Sequence, residues 1–160
     1  MNKAEVLQNI KKAKVAHKEW AEKAKRIIST NETKESLLPE SAHECEFGVW
    51  FHGDAQKLSS LSNNPLSCMQ NIERLHKSVH DLYGAVFYAY YPQEQKSGLI
   101  SKLFGEKAKK LNEDEQSVVS EQIALLESHS EEILEELSRL ERRLEAVSEE
   151  KIASLGQSKL

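Results

Sequence analysis

From Val119 to Val147 the apolar residues recur in steps of three and four: Val119, Ile123, Leu126, Ile133, Leu137, Leu140, Leu144 and Val147, with Ser130 the one polar member of the row. That spacing places them along one side of a long α-helix, and neither glycine nor proline interrupts the stretch. Asn112 is suited to cap the helix, and Glu113, Asp114 and Glu115 complement its dipole. The same period runs through Val6, Ile10, Ala13, Ala16, Trp20, Ala24 and Ile27, predicting a helix over residues 2 to about 30 that Ser29–Thr33 breaks. It returns in Met69, Ile72, Leu75, Val79, Leu82, Val86 and Tyr90, a helix of roughly 66 to 91 opened by Pro65 and closed by Pro92.

Between these long helices the pattern is weaker. A second helix is expected to begin near Pro39 and run through Cys45 and Trp50. Asp54 and the serines after it blur its end, although Leu58 and Leu61 suggest continuation. Residues 93 to 110 are expected to hold a short helical segment, with Gly98 and Gly105 at turns around Leu99, Ile100, Leu103 and Phe104. With three prolines, six glycines and 6% aromatic residues in 160, the predicted fold is all-α. It is a four-helix bundle with a long C-terminal coiled-coil-like helix. Such a helix can pack on its own subunit. Its repeat is longer than a small bundle needs, so residues 126–148 are expected to meet a second subunit or a partner, and the protein is expected to be a homodimer.

Charge and hydropathy exclude several classes. A net charge of −4 argues against nucleic-acid binding. The basic run Lys102–Lys110 contains Glu106 and reads as a solvated segment. No stretch approaches the roughly 20 apolar residues that span a bilayer. Nothing after Met1–Glu5 resembles the apolar core of a signal peptide, so a cytoplasmic location is expected. Thiols stay reduced there, and Cys45 and Cys68 are not paired on this reading.

His76 and His80 stand four apart on the third helix, where both imidazoles project from one face and can reach one metal ion. Each adjoins an apolar position, Leu75 or Val79. His17 lies next to Ala16 and one turn before Trp20, and Cys45 sits among Phe47, Gly48 and Trp50. Three imidazoles and a thiolate from three helices make the closed tetrahedral set that zinc prefers, built as metal sites in helical bundles are. Nitrogen and sulfur ligation selects zinc over magnesium or calcium. The other candidates read as background. His43 and His52 are expected to be exposed, His129 solvated, and Cys68 a small buried thiol. Glu19 and Glu46 are flanking solvated acids, and Tyr83, Phe87, Tyr88, Tyr90 and Tyr91 fill core or interface.

The order His17-x-x-Trp20, Cys45-x-Phe47-Gly48-x-Trp50, His76-x-x-x-His80 resembles the chemoreceptor zinc-binding (CZB) domain over roughly residues 10 to 90. That family is a bacterial cytosolic four-helix bundle found in chemoreceptors and diguanylate cyclases. The resemblance implies Zn²⁺ held by His17, Cys45, His76 and His80. Val49 stands where the family motif usually has lysine, a departure that touches no ligand. Residues 1–112 would then form the zinc-binding bundle, 113–150 its last helix extending into a coiled-coil-like segment, and 151–160 a frayed tail. Four protein ligands leave no open position for substrate, so no enzyme is expected. The expected function is a sensory module whose zinc occupancy alters helix packing and controls a protein partner in trans, in chemotaxis or cyclic-di-GMP signalling. The resemblance also implies an alternative, a hypochlorous acid sensor acting through the zinc-bound Cys45; a third reading is a scaffold with purely structural zinc, which chelation would simply unfold.

Overall fold

The computed structural model describes residues 2–30, 41–61, 65–92 and 109–155, and these form helices and connecting turns without strands. Three long helices, α1 (Lys3–Thr30), α3 (Pro65–Tyr90) and α4 (Glu113–Glu145), build the bundle. A short helix α2 (Glu46–His52), continued by a 3₁₀ helix at Asp54–Ser60, lies where a fourth long helix was expected. Gly53 causes the break: its φ of −96° and ψ of −107° leave the helical region, and its N–H caps the carbonyls of Val49 and Trp50. Leu58 and Leu61 are buried as their spacing suggested, but from the tighter helix and the residue that follows it. Pro39, the basic run up to residue 108 and the segment 93–108 lie outside the described residues.

α4 runs antiparallel to both other long helices. Along α1, Lys3 meets the end of α4 at Glu145 and Val147, and Lys25 pairs with Glu127 at the other end. Along α3, Asn71 donates to Glu136 and Ser78 meets His129. Asn112 opens α4 with a reciprocal capping box, its Oδ1 accepting from the Glu115 N–H at 2.9 Å while its own N–H donates to Glu115 Oε2 at 3.0 Å. At the far end Lys3 Nζ donates to the carbonyls of Glu145 and Val147, oxygens that the ending helix leaves unpaired.

The seam of α4 is packed within the chain. Val119, Leu126, Ser130, Ile133, Leu137, Leu140, Leu144 and Val147 are all buried against their own chain. α1 lies on one side of the seam and α3 on the other, and together they cover both of its flanks. Where a frayed tail was expected from residue 151, the chain turns at Ser148, which caps a short α5 (Glu149–Ser154), and Ile152 is fully buried.

Candidate metal centre

Cys45 lies outside a helix and caps one. In extended conformation at φ −71° and ψ 155°, it precedes α2, and its Sγ accepts the Gly48 N–H at 3.2 Å, as an N-cap side chain does. The turn before it, Ser41–Glu44, folds back so closely that a Cβ on Gly48 would stand 1.8 Å from the Ala42 carbonyl oxygen. Only glycine fits there. This contact fixes where the thiol points.

It points at α3. Cys45 Sγ is 3.2 Å from His76 Nε2. Cys45, His76 and His80 together offer ligand atoms within 4.8 Å of one another, and all three are buried. His76 and His80 cross nearly at right angles, with ring centroids 4.7 Å apart, as side chains one helical turn apart on one face. His17 is buried beside them, its centroid 6.2 Å from that of His76, but it stands outside the compact group. Its Nε2 lies 3.0 Å from Ser130 Oγ. The structure thus brings three of the four sequence-derived residues together and places the fourth at their edge.

Aromatic rings close the site. Phe47 stands edge-on to His76 at 4.5 Å, and Trp20 covers His80 at 4.4 Å. Burial first, and then His80 nearby, pushes His17 down to about 4, opposed by its hydrogen bond to Ser130. The same burial, reinforced by His80 and His17, pushes His76 down to about 2. Both are therefore neutral at physiological pH, with lone pairs available for ligation. Burial raises the Cys45 thiol above its ordinary value, the N–H groups of Gly48 and Phe47 oppose this, and Glu46 adds to it.

These residues suit a metal such as zinc. The donor set is nitrogen and sulfur, and around a tetrahedral zinc with bonds of about 2.0–2.3 Å such atoms lie roughly 3.5 Å apart. Moreover, His76 Nδ1 is buried without a hydrogen-bond partner. If Nε2 accepts the Cys45 S–H, a buried Nδ1–H is left over; if Nε2 donates to a thiolate, a bare lone pair is left. The ring is not fully satisfied by protein alone in either tautomer.

Ser130 is the residue that sequence reading missed. It was visible as the lone polar member of the α4 seam, and its hydroxyl faces His17 from there. His129 differs from expectation as well: it is half-buried and meets Ser78 Oγ at 3.0 Å. His43 is exposed and stacks on the half-buried His52 at 3.8 Å. Cys68 is fully buried; burial and then a hydrogen bond with Glu136 raise it.

The fold and the cluster define an all-α bundle with a buried histidine–cysteine centre between three of its helices. The family model of the chemoreceptor zinc-binding domain matches residues 17–87, a span running from His17 past His80. Over that segment, somewhat under half of its length, the chain is similar to that domain family. No curated protein and no solved structure matches it. Among the described residues, no helix is long and apolar enough to cross a membrane.

Proposed function

We propose that this protein is a zinc-binding regulatory module. His17, Cys45, His76 and His80 hold the ion, and its occupancy sets how α1, α2 and α3 pack. The observation that carries the reading is the buried trio Cys45, His76 and His80, in which no carboxylate takes part. In this reading His17 completes the set by a ring movement, and Ser130 holds its second nitrogen, as outer hydrogen bonds do for metal-bound histidines. Bound zinc would hold Cys45 as its thiolate and accept a lone pair from the His76 ring. Four protein ligands close the ion to substrate, so the role is signalling and not catalysis. The working unit is a cytoplasmic homodimer that acts on a protein partner in trans, in chemotaxis or cyclic-di-GMP signalling.

Zinc titration followed by elemental analysis tests the site: one equivalent is expected for the wild type, and a large loss for Cys45→Ser and His80→Gln. The regulatory part is tested by hydrogen exchange of α2 and α3 with and without chelator. Faster exchange there and locally around Ser130, with the bundle otherwise folded, supports it. Unchanged exchange throughout would refute it, and global unfolding would point to purely structural zinc.

One observation favours a second reading, redox sensing through Cys45. The Gly48 N–H donates to its sulfur, and the residue lines a cleft that reaches the surface. Hypochlorous acid would oxidise the thiolate, remove a ligand and release the metal. Mass spectrometry after mild oxidation, comparing Cys45 with the enclosed Cys68, separates this reading from metal sensing alone.

A further inference from the structure

A cavity of about 200 Å³ opens between α1 and the start of α2. Its floor includes His17, Cys45 and His76, and its walls include Glu19, Lys23 and Glu46. Glu19 and Glu46 are exposed, and no ion pair among the described residues engages either. The cluster is otherwise deeply enclosed: His17 is 2% exposed, His76 1% and His80 3%. A metal ion reaching it must shed water and gain ligands stepwise, because a bare dication in an apolar wall is prohibitively costly. Carboxylate oxygens at the mouth supply an intermediate stage: they hold a hydrated dication more loosely than the thiolate and imidazoles beneath them.

We propose that this cleft is the passage by which the metal exchanges, with Glu19 and Glu46 capturing the divalent cation at its mouth and Lys23 opposing them. The proposal rests on the zinc reading above and adds a route and a rate to it. Lys11 and Lys12 line the adjoining groove with the same two acids, so the carboxylates act on a cation at short range and not through a net negative field. Such capture acts on rates and weakens with salt, whereas the buried ligands set the affinity.

The test is stopped-flow uptake of Zn²⁺ by the full chain at low salt, with the affinity of each variant measured separately by chelator competition. Glu19→Gln is expected to slow uptake and Glu19→Lys to slow it further, by on the order of tenfold in total, while Lys23→Gln speeds it. Affinities should change less than the rates, and added salt should compress the series. Glu121→Lys, an exposed charge reversal on α4 outside the cleft, should leave uptake unchanged. Glu19 is exposed, so its substitution does not threaten the fold. Rates that ignore the Glu19 and Lys23 changes, or that follow Glu121→Lys equally, overturn the passage while leaving the zinc site standing. A wild type that takes up no zinc overturns the reading beneath it.

Discussion

Acid should destabilise the metal-free protein well before its carboxylates titrate. His17 is held down to about 4 and His76 to about 2, both below the ordinary value of 6.5, with burial the first cause in each case. A histidine depressed in the folded state is neutral in both states above pH 6.5 and costs nothing there. As the pH falls below 6.5, the unfolded chain takes up protons that the folded chain refuses, and stability is lost until the folded value is reached. At pH 5 both folded values still lie lower, so the loss is governed by the unfolded value: 1.5 pH units at about 1.4 kcal/mol each, or about 2 kcal/mol per histidine. Together they remove about 4 kcal/mol, a large part of the roughly 5–15 kcal/mol typical of a domain. His52 is also held below its ordinary value, by burial first and then by His43, and adds in the same direction.

The assay is urea unfolding of chelator-treated protein at pH 7.5 and pH 5, with the double variant His17→Gln/His76→Gln alongside. The wild type should lose about 4 kcal/mol between the two conditions, and the double variant most of that less. An equal loss in both proteins would refute the reasoning, because the protons would then be binding elsewhere. A wild type equally stable at both pH values would refute it more directly, by showing that the imidazoles ionise where they are.

Three other substitutions probe the supports of the site. Ser130→Ala leaves His17 Nε2 buried without its partner; it should cost about 1–3 kcal/mol by urea unfolding and weaken zinc binding about 10- to 100-fold by chelator competition. Gly48→Ala places a Cβ against the Ala42 carbonyl, where only backbone movement relieves the clash, so its loss of stability should exceed the ~1 kcal/mol of a typical point mutation and zinc stoichiometry should fall with it. Lys3→Met removes a charge-assisted cap from the end of α4, and calorimetry should show a loss of about 1 kcal/mol with zinc affinity unchanged.

The long helices were legible because each carries its signal locally. α1, α3 and α4 show a 3.6-residue stripe, and α4 also announces its start in Asn112 and Glu115. The second helix was not legible in the same way. Its break at Gly53 depends on a backbone conformation, and its start is set by a turn that closes onto Gly48, a contact between residues six apart that no periodicity encodes. The fate of the α4 seam was open for a related reason. Heptad spacing states that a face is buried and is silent on whether the same chain or another covers it. His17, Cys45, His76 and His80 could be named from residue type and spacing, but their mutual distances depend on how three helices cross.

Ser130 shows how the site and the bundle depend on each other. A hydroxyl in an otherwise apolar seam weakens the packing unless something buried needs it, and here His17 on α1 does. The same side chain that α4 contributes to the core therefore fixes one nitrogen of His17. Cys45 works similarly on α2, as both helix cap and neighbour of His76. A change at the cluster is thus felt at once by the start of α2, through the Cys45 sulfur, and by the middle of α4, through the Ser130 hydroxyl. Loss of the metal would reach α4 by a hydrogen bond and not by unpacking its seam, because Leu126, Ile133 and Leu137 stay buried against α1 and α3 whatever the ring of His17 does. The response on α4 should therefore be a local shift centred near residue 130, and hydrogen exchange along α4 would locate it there.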